Sequence, residues 1–155
     1  MAEVYFYHLT RSRLDQALPD LLEKVRAKPW RALVRGRDVE KLKHLDTALW
    51  QYKEDSFLAH GLAGGKHDAD QPVLLTDQTV NANNAEILLL TDGAKTTPEE
   101  VALYTRVCLM FDGNAEAELG SARADWKALT DAGVPAQYWA QEDGRWTKKA
   151  EKKAD

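Results

Sequence analysis

Hydrophobic positions along the chain follow two alternating periods. Short apolar runs rich in β-branched and aromatic residues recur between stretches where apolar residues fall three or four positions apart. The first pattern is typical of β-strands, and the second is typical of amphipathic helices. Strands are predicted at 4–9, 32–34, 72–76, 87–91, 107–111 and 137–140, with 137–140 as the final strand.

The first predicted helix follows the first strand, and its apolar residues share one helical face. Ser12 with Asp15 three positions later resembles a capping box at its start. Pro19 has no amide donor and clashes with the preceding turn, so it predicts a kink or a later helix start. The apolar face consists of Leu14, Leu18, Leu21, Leu22 and Val25.

Three further helices are predicted from caps and periodicity. Asp38 is a good N-cap for the second helix, and Thr97 with Pro98 marks the start of the third. The fourth spans 115–131 and ends before Gly133 and Pro135. The predicted buried stripe of the second helix is Val39, Leu42, Leu45 and Leu49.

Alternating strands and helices predict an α/β fold. We expect a single Rossmann-like domain with a mostly parallel central sheet and helices on both faces. The runs PVLLT and ILLLT are uniformly apolar, as expected of strands buried on both sides. The domain is predicted to span residues 1–147. Residues 148–155, KKAEKKAD, are charged and contain no large apolar residue, so we expect a disordered tail.

Composition narrows the possible functions. A formal charge of −4 over 155 residues argues against a protein whose main task is binding nucleic acid, because that task needs a clustered basic surface. The single cysteine, Cys108, lies in the apolar run VCLMF and is expected in the core. The N-terminus has no signal-peptide pattern, and no apolar run is long enough to span a membrane. A cytoplasmic location is therefore expected.

No catalytic or metal-binding motif is predicted. The run GLAGGK at 61–66 lacks the first glycine of a phosphate loop, because His60 takes that position, and His67 replaces its Ser or Thr. The four histidines show no zinc-type spacing. Asp112 and the Glu99–Glu100 pair lie in no recognisable catalytic motif. We therefore expect no enzyme activity, no cofactor and no metal.

The fourth predicted helix offers a better candidate for binding. Trp126 lies on its apolar stripe, and Arg123 and Lys127 lie four residues apart on an adjoining face. A ring flanked by cations suits an acidic peptide that ends in an aromatic residue. The alternative is that Trp126 belongs to the core and the cations are only solvated. The same alternative stays open for Trp50 and Phe57.

The segment from Leu45 to Gly64 carries a family resemblance. It contains ALW ending at Trp50, a seven-residue step to the SF that ends at Phe57, and an H-x-LAG ending that begins at His60. With DWKALTDAG at 125–133, this pattern resembles the chi accessory subunit of bacterial DNA polymerase III. The similarity runs over most of the chain, and the block from LDTALW to HGLAG is its most specific part.

The resemblance implies a non-catalytic adaptor with two protein partners and only indirect contact with DNA. One partner is the acidic, phenylalanine-ending C-terminal tail of the single-stranded-DNA-binding protein, SSB. The other is psi, the small subunit that tethers chi to the clamp loader. The residues implied for the SSB tail are Arg123, Trp126, Lys127 and the strand-end Phe111, and those for psi are Trp50, Phe57 and His60. The family has tyrosine at the position of Trp126.

Two other functions remain as alternatives. A small nucleotide- or metabolite-binding enzyme could use the same doubly wound fold, since the fold does not fix function. It would need a deep polar pocket at the carboxyl ends of the strands. Direct DNA binding is the second alternative, and the acidic charge balance argues against it.

Overall fold

The computed structural model describes residues 2–10, 13–51, 59–142 and 145–153. Helices and strands alternate through most of these ranges. In chain order they are β1 (Glu3–Leu9), α1 (Leu14–Ala27), β2 (Ala32–Arg35), α2 (Val39–Trp50), β3 (Gly61–Leu62), β4 (Val73–Thr76), β5 (Ile87–Leu90), α3 (Pro98–Val101), β6 (Arg106–Asp112), α4 (Glu116–Asp131), β7 (Ala136–Glu142) and β8 (Arg145–Lys152).

The strands form one sheet in the order β3-β4-β2-β5-β6-β1-β7-β8. All neighbouring strands run parallel except β7 and β8, which pair antiparallel. The four strands β2, β4, β5 and β6 are almost wholly buried, as the uniform apolar runs predict. The predicted α/β domain with a mostly parallel central sheet is confirmed.

Helices cover both faces of this sheet. On one face, α1 and α2 pack on side chains such as Val34, Leu75 and Met110. On the other, α3 and α4 pack on side chains such as Phe6 and Leu109. Because the loop after β1 leads to α1 and the loop after its neighbour β6 leads to α4, a crevice opens between the carboxyl ends of these two strands.

Helix α1 begins where the apolar periodicity predicts and continues through Pro19, which is buried. The expected later start is wrong. At the N-terminus the backbone N–H of Arg13 donates to Gln16 Oε1 over 3.2 Å, so Gln16 takes the capping role expected of Asp15. The other half of the predicted capping box, Ser12, lies outside the described residues.

Strand β8 corrects two expectations. The sequence pattern predicts β7 as the last strand and disorder from Lys148 onward. Instead, β8 extends to Lys152 and pairs with β7 along its length. The predicted domain boundary at residue 147 therefore falls inside a strand. An edge strand needs no apolar face of its own, and its charged side chains protect the sheet edge from pairing with other chains.

Candidate functional site

The C-terminal end of α2 presents a large ring at the surface. Leu42, Leu45 and Leu49 are buried, as their spacing predicts, whereas Val39 is 45% exposed and does not belong to the stripe. Trp50 follows Leu49 directly, which turns it about 100° away from the buried face. Its side chain is 51% exposed, so the core interpretation of Trp50 is wrong.

The buried ring of His60 packs against the ring of Trp50 on its core side. The two ring centroids lie 4.2 Å apart, and the His60 side chain is fully buried. Its Nε2 lies 3.1 Å from both the backbone oxygen and the Oδ1 of Asp46. Both of these atoms accept hydrogen bonds, so Nε2 carries the proton. Trp50 and His60 are thus brought together as one unit, while Phe57, predicted to join them, lies outside the described residues.

Trp126 of α4 is half-buried and packs against the core. Its ring meets Phe6 edge-on at a centroid distance of 5.3 Å and Tyr138 at 6.0 Å. Edge-to-face contacts of this kind fix the orientation of the ring. One side of the indole is therefore part of the core, and the rest is accessible on α4, which also carries the exposed Arg123 and Lys127.

The two cations beside Trp126 have different surroundings. Burial lowers the pKa of His8, and the positive charge of Arg123 lowers it further, which places the guanidinium near the imidazole. The same charge opposes the rise in the pKa of Tyr138 that burial causes. Lys127 Nζ instead lies 2.9 Å from Asp131 Oδ2, one turn along the helix. Arg123 therefore lies near the ring cluster, whereas Lys127 is paired with Asp131.

Phe111 lies beneath this surface. It is 3% exposed, with its ring centroid 5.1 Å from that of His8 and 5.9 Å from that of Tyr138. A side chain so deeply buried supports the neighbouring rings. In this structure Phe111 therefore contributes to the floor of the predicted site more than to its surface.

Two residues of this cluster, His8 and Tyr138, have no role predicted from the sequence. His8 Nδ1 lies 2.8 Å from the Tyr138 hydroxyl. A Cβ at Gly113 would lie 1.7 Å from the imidazole, so only glycine leaves room for His8. A signal for His8 exists in the sequence, because it follows Val4 and Phe6 at the period of a strand and so shares their face. The sequence carries no comparable signal that Tyr138 is the residue that pairs with His8.

A cavity of about 290 Å³ lies in the crevice at the carboxyl ends of the strands. Its lining includes Lys41 and three acids, Asp92, Asp112 and Glu118. Lys41 Nζ is 2.9 Å from Asp92 Oδ1. Burial raises the pKa of Glu118, and the negative charges of Asp112 and Asp92 raise it further. Arg13 also lines the cavity, which therefore carries charges of both signs.

Other predicted features lie away from these surfaces. Cys108 is fully buried, as expected of a core residue, and burial raises its pKa to about 12, which keeps the thiol protonated and inert. Within the described ranges, no three His, Cys, Asp or Glu side chains converge as a metal site would require. Of the helices in the described part of the chain, none is long and apolar enough to cross a membrane.

Fold and surfaces together define a small doubly wound α/β domain with aromatic surface sites. The chain belongs to the DNA polymerase III chi subunit family, since the family model described as DNA polymerase III chi subunit, HolC, matches residues 1–137. It is also similar to a protein of Rickettsia prowazekii (strain Madrid E) described as a probable DNA polymerase III subunit chi. The two are 28% identical over 117 residues, which cover 72% of this chain and 71% of the relative.

Proposed function

We propose that this protein is a non-catalytic adaptor of the DNA polymerase III holoenzyme that works in the cytoplasm during DNA replication. It links the clamp loader, through psi or an equivalent partner, to the C-terminal tail of SSB. Family membership supports the polymerase assignment. The observation that carries the adaptor role is the pair of surface tryptophans, Trp50 and Trp126, on helices that pack on opposite faces of the sheet.

The proposed SSB-tail site is the surface of α4 around Trp126. The rim of the indole offers an apolar wall to the terminal phenylalanine of the tail. Arg123 and Lys127, both exposed, can form charge-assisted bonds to the terminal carboxylate and the acidic side chains. Phe111 supports this surface from the core. A fixed ring on the same helix as two exposed cations is a suitable arrangement for a short acidic peptide.

The proposed psi site consists of Trp50 at the end of α2, His60 and Phe57. Trp50 is a large, half-exposed ring whose position is fixed by the buried His60. Such rings are frequent energetic centres of protein interfaces, since they bury much area at little entropic cost. Phe57 is proposed to take part in the same interaction.

Calorimetric titration with a short acidic peptide ending in phenylalanine tests the α4 site. Arg123→Glu reverses the charge beside the ring and should weaken binding by about tenfold or more, since a partner left with an unpaired charge is costly. Affinity for the unchanged protein should fall as salt rises. Lys43→Glu, which reverses an exposed cation on α2, is the matched control and should bind as before. Equal affinity of the Arg123→Glu variant and the unchanged protein would remove the site from α4.

Binding to purified psi tests the α2 site. Trp50→Ala should lose most of the affinity, because truncating a central interface tryptophan costs about 2 kcal/mol or more. Val39→Ala, at the other exposed end of the same helix, should have little effect. Circular dichroism of both variants separates a lost interface from a lost fold. A folded Trp50→Ala variant with full affinity contradicts the proposal.

One observation favours the alternative of a nucleotide- or metabolite-binding enzyme, namely the cavity of about 290 Å³ at the carboxyl ends of the strands. Its three acids outnumber its two cations, Arg13 and Lys41, so a phosphate-bearing ligand would gain no net attraction there. A thermal-shift series with nucleoside mono-, di- and triphosphates tests this alternative. We expect no rise in melting temperature, and a rise that Glu118→Gln enhances would favour the enzyme.

A further inference from the structure

A row of partly buried aromatic rings lies on the sheet face covered by α1 and α2. The ring centroids of Trp146 and Tyr7 are 5.1 Å apart, and those of Tyr7 and Tyr5 are 6.3 Å apart. We call this row, with the residues that continue it at either end, the aromatic stripe. Its rings are Tyr5, Tyr7, Trp30, Trp139 and Trp146.

Cations are interleaved with these rings. The guanidinium carbon of Arg106 lies 4.4 Å from the centroid of Tyr5 and 5.5 Å from that of Trp30. Lys28 Nζ lies 4.9 Å from the centroid of Trp30. A guanidinium stacked on a ring keeps its N–H edge available for an anion. Within the described residues, Lys28 and Arg106 form no ion pair with a carboxylate.

A recess of about 220 Å³ opens at one end of the aromatic stripe, between α1 and strands β7 and β8. Its walls include the rings of Trp139 and Trp146, and Leu21 of α1 faces them. Trp139 Nε1 donates to Gln137 Oε1 over 3.0 Å, which fixes the orientation of that indole. Lys24, exposed and one turn before Lys28, stands at the same recess. The volume suits one planar ring better than a drug-sized molecule.

Lys24 and Lys28 thus place two positive charges along the aromatic stripe. Several exposed lysines of the described residues are matched by a carboxylate, as Lys41, Lys95 and Lys127 are. Lys24 and Lys28 have no such match among the described side chains. Their charge is therefore available to an external anion.

We propose that the aromatic stripe binds single-stranded DNA, with a base in the recess and phosphates along Lys24, Lys28 and Arg106. Successive aromatic side chains are typical of single-strand binding sites, because each base of the strand can stack its flat face on a ring. An acidic peptide suits the stripe less well, because its carboxylates could pair with Lys24 and Lys28 but would leave most of the rings without a stacking partner.

This inference goes beyond the proposed adaptor function and modifies the expectation that contact with DNA is only indirect. Trp139 and Trp146 lie C-terminal to the residues that the family model matches, so the recess is built partly by the portion of the chain outside that match. The formal charge of −4 implies a weak interaction that depends on the local cations and is strongest at low salt.

Fluorescence anisotropy of a labelled oligothymidylate, titrated with the whole protein at several salt concentrations, tests the proposal. The double variant Lys24→Glu, Lys28→Glu should bind about tenfold or more weakly. The slope of log Kd against log salt should fall by about 0.7 for each phosphate that the variant no longer neutralises. Lys95→Glu, which reverses an exposed lysine beside α4 on the opposite face, is the control and should bind the oligonucleotide normally.

A second variant tests the rings separately from the charges. Trp146→Leu keeps an apolar side chain but removes the flat face, and it should weaken binding by about fivefold or more. A melting curve for this variant verifies that β8 remains folded. Unchanged binding by a folded Trp146→Leu variant would overturn the stacking role.

The same variants distinguish this proposal from the SSB-tail site. The lysine double variant should bind the acidic phenylalanine-ending peptide as the unchanged protein does. If the double variant fails to bind the peptide, the aromatic stripe is a peptide site and the DNA proposal is wrong. Absence of oligonucleotide binding at low salt would also overturn it, whatever the peptide does.

Discussion

Trp126 and Trp50 occupy comparable helices on opposite faces of one sheet, but their surroundings differ. Trp126 meets Phe6 and Tyr138 edge-on, so part of its ring belongs to the core. Trp50 contacts the buried His60 and is 51% exposed. The difference shows that one residue type can contribute to the core at one position and lie mainly at the surface at another.

Helical phase explains the difference. Trp126 lies four residues after Ala122 and three before Leu129, both buried, so it shares their face. Trp50 directly follows the buried Leu49 and is turned away from that face. The comparison can be sharpened by substitutions that separate the stability of the domain from its interactions.

The largest expected effect is on stability at position 126. Trp126→Ala should lower the free energy of unfolding by about 3 kcal/mol, because it removes a ring packed on two core aromatics. Trp50→Ala should lower it by about 1 kcal/mol, as expected for a half-exposed side chain. Urea denaturation followed by circular dichroism measures both. Equal losses of the free energy of unfolding would mean that Trp126 and Trp50 contribute equally to stability and would contradict the comparison.

A smaller effect is expected for His60→Ala, which removes the support of Trp50. The loss should be about 2 kcal/mol, since a buried ring is deleted and Asp46 loses its hydrogen-bond donor. His67→Ala, at an exposed loop position nearby, is the control and should change stability by less than about 0.5 kcal/mol. A His60→Ala variant as stable as the control would contradict the supporting role.

The smallest effect concerns pH at the α4 site. Burial and then Arg123 lower the pKa of His8 in the folded state, so the unfolded state binds the proton more readily. The stability linked to His8 is complete above about pH 6.5 and is lost as pH falls through the folded-state pKa. Arg123→Gln should raise that pKa, measured by an NMR titration of the His8 imidazole. An unchanged pKa would place the guanidinium elsewhere.

The buried strands could be predicted because they carry their own signal. The runs at 73–75 and 87–90 are apolar throughout, as expected of strands covered on both faces. Strand β8 has no comparable pattern, because its exposed charged residues belong to an edge. The two-residue strand β3 is too short to show any period. The order of the strands depends on contacts between distant segments and is not encoded locally.

The candidate site likewise depends on contacts between distant segments that the local sequence pattern does not reveal. The exposure of Trp50 could have been inferred from its position directly after Leu49, and the face of His8 from its spacing with Phe6. The pairing of His8 with Tyr138 required knowing that β7 lies beside β1, which places Tyr138 opposite Phe6. Residue pattern therefore identifies the side chains, while the sheet order decides which of them meet.

The placement of α2 and α4 on opposite faces of the sheet has a consequence for assembly. Two occupants separated by the full thickness of the domain do not collide, so a ternary complex can form in either order of addition. The free energies of the two binding steps should then be additive, as for distant and independent positions. Such a domain would act as a rigid bridge, and its affinity for one partner would not depend on whether the other partner is bound.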